Sequence, residues 1–285
     1  MDSFEAHRSN PDIFPQFSLR DTLFLYYSCP QHDKILQLYS KFLQLSFTLS
    51  GTRHWHHGNK TWVANPDQGL LVKKCAFLQE LPADSSGWDV MVLYLTDEYL
   101  RSIFEEFQPH LSLEHLPEPN NDMMETFAIN DKIRAFYESL IPYFGPDNSL
   151  PLSILENKIK ELLFYIFSHE ENKHILAYIL KIKDGYQTPI WEVMEANYMY
   201  DLKVYDYANI ANRSLSTFKR DFINYYKISP GKWLTKRRLE RAKSFLETTD
   251  KTIREIAFDC GFNNTSHFSR VFKERYKYSP SAIHK

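Results

Sequence analysis

Residues 216–230, STFKRDFINYYKISP, lie over residues 266–280, SHFSRVFKERYKYSP, without a gap, and eight of the fifteen positions are identical. A self-match at a fixed offset of 50 residues means that one supersecondary unit is built twice. The shared residues say what the unit is. Phe218 and Phe222 are four apart, as are Phe268 and Phe272, so each pair shares a helix face that needs burial. Arg220 and Arg270 fall on the far side of that face. Ser-Pro at 229–230 and 279–280 offers an N-cap and a first-turn proline, closing one helix and opening the next.

A shorter helix is predicted before each copy. TIREIAFDCGF opens with Thr252 and Glu255 at capping-box spacing, buries Ile253, Ile256 and Ala257, and stops at Gly261, suited to a left-handed turn. VYDYANIANRS puts Ala208 at the same small position and Asn212 in the place of the glycine, a residue that tolerates the left-handed conformation at some cost. Ala208 precedes Arg220 by twelve residues and Ala257 precedes Arg270 by thirteen, so the second turn is predicted to be one residue longer. Helix, tight turn, helix is a unit whose second helix can enter a major groove. Between the copies, Pro230 to about Glu247 reads as one continuous helix about 26 Å long. Such a rod can hold two reading helices about one DNA turn, ~34 Å, apart.

On these residues the C-terminal hundred positions resemble the DNA-binding domain of the AraC/XylS family of bacterial transcription regulators. The matching signature runs through Arg238-Leu239, Ala242, Leu246, Ile253, Ile256-Ala257, Gly261-Phe262, Phe268, Arg270, Phe272-Lys273 and Ser279-Pro280. The first copy departs from it at Asn212 and at Tyr207, where the family has leucine. The resemblance implies a groove-facing set of Ser216, Lys219 and Arg220, then Thr265, Ser266, His267 and Arg270. Thr217 adds a short side chain for base, sugar or water contacts, and Asn264 and Ser269 complete the polar face opposite Phe268 and Phe272. The cationic run KRRLERAK at 236–243 is weighted toward phosphate contact.

Charge supports a division of labour. Of the 285 residues, 185–285 carry 18 Lys+Arg against 11 Asp+Glu, a net of +7, and 1–184 carry 16 against 25, a net of −9. One half is suited to an anion and the other is not. The expected fold class is therefore α+β with two domains. A sensor and dimerisation domain occupies 1–183, with a β-barrel at about 15–95 and helices at about 96–182. A linker follows at 184–188, then the double helix-turn-helix domain at 189–285. The first half resembles, less specifically, the cupin-like sensor domain of the same family. Its short β-rich runs FLQLSFTLSG, KTWVAN and GLLVKKCAFL are bounded by turn residues, and DEYLRSIFEEF, ETFAINDKIRAFYESLI and LSILENKIKELLFYIFS show helical spacing.

Other chemistry is thin. His54 and His56 alternate onto one strand face, but Asn59, Lys60 and Thr61 follow where a metal site would want a carboxylate, so no metal, cofactor or catalytic residue is assigned. Lys73 and Lys74 give a weak indication of an anionic effector. Cys29, Cys75 and Cys260 are odd in number and lack metal-ligand spacing, reading as free thiols. MDSFEAHRSN lacks the pattern of a signal peptide, and no apolar run approaches the ~18–20 residues of a membrane span. The expected protein is a cytoplasmic, nucleoid-associated transcriptional activator, not an enzyme, that binds double-stranded promoter DNA and RNA polymerase. Its first domain would answer to a small-molecule effector or a protein anti-activator, and would form a homodimer through helix 152–167 and its stripe of Leu152, Leu155, Ile159, Leu162, Leu163 and Ile166. The rival readings are a metal-dependent cupin enzyme with a DNA-binding tail and a nucleoid binder without sequence preference.

Overall fold

A computed structural model of the chain describes residues 1–19, 22–29, 33–82, 87–145, 151–184 and 188–283. It divides into two units, 1–187 and 188–285. The expected linker, 184–188, falls largely on residues 185–187, outside the described residues.

Among the described residues, the first unit opens with a short helix, α1 (Ser3–Arg8), and continues through nine strands. These are β1 (Gln16–Leu19), β2 (Thr22–Ser28), β3 (Ile35–Tyr39), β4 (Leu43–Gly51), β5 (Arg53–His57), β6 (Lys60–Ala64), β7 (Gln68–Val72), β8 (Ala76–Glu80) and β9 (Trp88–Leu95). Helix α2 (Asp97–Phe107) precedes a tenth strand, β10 (Met124–Ala128), and α3 (Asp131–Glu138), α4 (Leu152–Ser168) and α5 (Lys173–Lys183) follow. The strands form two antiparallel sheets, β1-β2-β9-β4-β7-β10 and β3-β8-β5-β6. Leu23, Leu25, Val90, Val92 and Tyr94 of the larger sheet share one core with Leu38, Trp55 and Phe77 of the smaller. The alternate residues Phe24, Leu45, Phe47, Met91 and Leu93 pack on the helices. The larger sheet is therefore covered on both faces, which is why β9 reads as an unbroken apolar run.

Several expectations need correction. The helical region contains β10, because ETFAINDKIRAFYESLI is strand up to Ala128 and becomes helix only after Asn130, whose side chain caps Ile133 N. The stripe of α4 is spent inside the unit: Leu155, Ile159, Leu162, Leu163 and Ile166 are all buried with residues of α2 and α5, and Leu152 is exposed. The two lysines offered to an anionic effector are already paired, Lys73 with Glu125 at 2.6 Å and Lys74 with Asp97. His54 does meet a carboxylate, but from across the sheet: it stands opposite Glu80 of β8, whose Oε2 lies 3.0 Å from His56 Nε2 and 3.9 Å from His54 Nδ1. The other nitrogen of His56 lies 2.8 Å from Thr61 Oγ1, so both of its ring nitrogens are engaged. No described helix is long and apolar enough to cross a membrane.

His7 gives this unit a pH dependence. Its ring contacts Phe14, Tyr27 and Tyr94, its Nδ1 is 3.0 Å from the Tyr94 hydroxyl, and burial holds its pKa down to about 4 from 6.5. The folded chain keeps it neutral while the unfolded chain protonates it below 6.5. Its contribution is intact above that pH and is lost as pH falls toward 4. Relative to His7→Phe, wild type is expected to lose about 3 kcal/mol across this window. Urea denaturation of both proteins in steps from pH 7 to 4 reads the difference.

The second unit is helical: α6 (Ile190–Asn197), α7 (Val204–Ile210), α8 (Leu215–Tyr226), α9 (Pro230–Thr248), α10 (Ile253–Asp259) and α11 (Thr265–Tyr276). At 19 residues, α9 is about 28 Å long. It serves two cores. Trp233 packs on Phe222 and Tyr226 of the first copy, and Leu239, Ala242 and Leu246 pack on Ile256, Ala257, Phe268 and Phe272 of the second.

Candidate nucleic-acid interface

The two turns are built by the same bonds. Arg213 N donates to Ala208 O and Phe262 N to Ala257 O, each at 2.9 Å, closing a six-residue C-terminal loop on α7 and on α10. Inside each loop one residue is left-handed, Asn212 at φ 51° and Gly261 at φ 79°. The difference follows from what surrounds Gly261. A Cβ there would lie 2.9 Å from both Arg238 Nε and Met199 O, so only glycine fits. The second turn gains its extra residue after the left-handed position. Ser214 caps α8 two residues past Asn212, and Asn264 caps α11 three residues past Gly261. Each cap oxygen accepts from the backbone N–H three residues on, Thr217 N at 3.2 Å and His267 N at 2.9 Å. At the entrance to α10 the Thr252–Glu255 capping box forms in both directions. Tyr207, the departure from the family pattern, is fully buried and its hydroxyl donates to Asn197 O.

The repeat also shapes the far ends. Lys227 and Lys277, identical in the two copies, are both left-handed, at φ 59° and 72°. Helices α8 and α11 therefore stop two residues before the Ser-Pro signal that marked their ends in the sequence.

With the phenylalanine pairs fully buried, helical geometry aims the opposite stripe outward. Ser216, Lys219 and Arg220 are exposed on α8, and Ser266 and Arg270 on α11, with Ser269 half-buried between them. Arg220 and Arg270 do pair with acidic neighbours, Asp221 and Glu274, but at 3.3 Å and with side chains 68% and 65% exposed. Such pairs contribute little and leave the guanidinium free to exchange partners. The remaining residues take up other positions. Asn264 is the cap of α11 and its Oδ1 is occupied there. Thr265 is half-buried in the first turn, Thr217 is half-buried and bonded to the Ser214 hydroxyl, and His267 lies exposed on the flank beside Phe262. The same stripe continues to Ile223 and Lys273, both exposed, which the sequence reading left out. Their three- and four-residue spacing from Lys219/Arg220 and Ser269/Arg270 was the available signal.

The KRRLERAK run is mostly internal structure. Arg238 donates to three carbonyls, Tyr198 O at 2.7 Å, Tyr200 O at 2.6 Å and Gly261 O at 2.9 Å. Arg237 pairs with Glu195 at 3.0 Å, and Arg241 lies over the Phe245 ring at 4.3 Å. Cys260 is buried behind the second turn and its thiol is pushed up to about 12, so it is a packing residue with no reactive role.

Two family models match the chain in succession: the ExsA N-terminal regulatory domain over residues 44–178 and a helix-turn-helix domain over residues 207–285. Together the two matches support an AraC/XylS family transcriptional regulator. The chain is similar to the HTH-type transcriptional regulator ExsA of Pseudomonas aeruginosa, 24% identical over 226 residues that cover 78% of this chain and 79% of ExsA. It is also similar to the virulence regulon transcriptional activator VirF of Yersinia enterocolitica, 27% identical over 237 residues, 83% of this chain and 87% of VirF. Among solved structures it matches an apo ToxT variant from Vibrio cholerae at 15% identity and a TM-score of 0.46, covering 93% of this chain and 97% of that one.

Proposed function

We propose that this protein is a sequence-specific DNA-binding transcriptional activator of the AraC/XylS family. Helices α8 and α11 would read two successive major-groove segments, and 1–183 would act as the sensor domain. The observation that carries the reading is the pairing of two like-built turns on one helix, each followed by a buried phenylalanine face and an exposed polar and cationic one. The similarity to VirF, named as an activator, supports the sign of regulation.

RNA polymerase is the further partner an activator requires, and the site of action is the nucleoid in the cytoplasm. The input is a small molecule or a protein anti-activator. A cavity of about 280 Å³ between α1 and β2, β3 and β8, lined by His7, Phe14, Tyr27, Cys29, Leu36 and Leu38, supports the small molecule. A homodimer through α4 would use residues that its packing leaves exposed, Leu152, Ser153, Ile154, Asn157 and Glu161.

The test is competition binding with the full chain. Protection of one duplex site is expected to survive a large excess of random DNA, and Arg270→Ala is expected to weaken that specific binding by about 1–3 kcal/mol. Equal binding to any duplex would point to a nucleoid protein without sequence preference.

A further inference from the structure

The outward stripe of α8 is Ser216, Lys219, Arg220 and Ile223, and that of α11 is Ser266, Ser269, Arg270 and Lys273. The fourth position is where the two copies change character. Ile223 is 46% exposed, and its counterpart Lys273 is an exposed cation. The fold has no use for an apolar residue at this place. Phe218 and Phe222 hold α8 down as Phe268 and Phe272 hold α11, all four fully buried, and the second copy packs the same way with lysine there. At 100° per residue, Ile223 points about 140° away from Phe218.

The surroundings of Ile223 select what can cover it. Lys219 stands one turn before it and Lys227 one turn after, with Arg220 beside it, all exposed. A cationic rim suits a polyanion, and the apolar group that duplex DNA offers in its major groove is the C5 methyl of thymine. We propose that Ile223 packs on a thymine methyl in the segment read by α8, while Lys273 meets the backbone at the equivalent place in the segment read by α11. This rests on the reading that α8 lies in a major groove. The two half-sites are then unequal, one selected by a methyl group and the other held by a phosphate.

The experiment begins with the duplex that the full chain selects from a random pool. Each thymine is replaced in turn by deoxyuridine, which removes the methyl and leaves every hydrogen-bonding group. For wild type, one replacement in the α8 segment is expected to weaken binding about four-fold, the effect of uncovering one methyl. In Ile223→Ala the same replacement is expected to change affinity by less than about 1.5-fold, because the partner contact is already gone. Ile223→Lys, which copies the second repeat, is expected to lose the uracil effect and to steepen the salt dependence. A methyl effect that persists in Ile223→Ala, or a flat scan, overturns the assignment. Lys219→Ala and Arg220→Ala separate the two levels. If they weaken binding while the scan is flat, Ile223 alone is misassigned; if they too leave affinity unchanged, α8 is outside the groove.

Discussion

Arg238→Ala is expected to destabilise the C-terminal unit by about 3–5 kcal/mol, more than any substitution on the outward stripes of the reading helices. Its guanidinium binds the carbonyls of Tyr198, Tyr200 and Gly261, joining the connection between α6 and α7 to the turn between α10 and α11. The planar fork of donors reaches three oxygens on two separate segments, which no other side chain matches. Removing it leaves three carbonyls without that donor and frees the second turn from the first half of the unit. Arg238→Lys is expected to recover less than half of the loss, since one ammonium cannot span the set. Gly261→Ala should couple to it only in part, because cutting back Arg238 relieves the 2.9 Å approach to its Nε but leaves the one to Met199 O, also 2.9 Å, and the left-handed backbone. Urea denaturation of the full chain, following the transition of the helical unit, measures all four proteins. A loss below about 1 kcal/mol in Arg238→Ala would mean that the three bonds contribute no more than water does.

The second large effect is expected in the other unit. Lys73 and Glu125 are 2.6 Å apart with side chains only 6% and 4% exposed, and Lys73 also donates to Asn120 O at 3.0 Å and lies 4.4 Å from the Tyr178 ring centroid. Burial lowers the lysine pKa and Glu125 works against that shift. The Glu125 Oε2 atom is buried without a hydrogen-bond partner, so the lysine carries the whole task of compensating the carboxylate. Lys73→Met is accordingly expected to cost about 3–5 kcal/mol, as the removal of one member of a buried pair does. Lys73→Met with Glu125→Leu is expected to return to within about 1 kcal/mol of wild type, because no buried charge is left uncompensated. A double variant as unstable as the single one would show that the pair holds the loop at Asn120 and the helix at Tyr178 through geometry, not through charge balance.

The C-terminal unit was the more legible half, and the reason is physical. The repeated residues are the ones that pack or cap: Phe218/Phe268, Phe222/Phe272 and the left-handed Lys227/Lys277. Local rules govern them, and local rules can be read from spacing. Partners distant in sequence could not be read in the same way. Nothing near KRRLERAK says that Glu195 takes Arg237 or that Gly261 O takes Arg238. Nor does GTRHWHH show that β8 will bring Glu80 beside His54 and His56. The stripe on α4 was correctly read as amphipathic, but amphipathicity does not say whether the cover belongs to the same chain or to another copy. In the site itself, Lys219, Arg220, Ser266 and Arg270 lie on the outward stripe, while Asn264 and Thr217 are engaged at the N-terminal ends of their helices. Ile223 was passed over because an exposed isoleucine looks like a core residue until burial is known.

The central claim is that both copies read DNA at once. Footprinting of the selected duplex with the full chain tests it most directly. Wild type is expected to protect two adjacent major-groove segments about one helical turn apart, ~34 Å. Lys219→Ala is expected to weaken protection of one segment and Arg270→Ala that of the other. Protection of a single segment, lost equally in both variants, would contradict it.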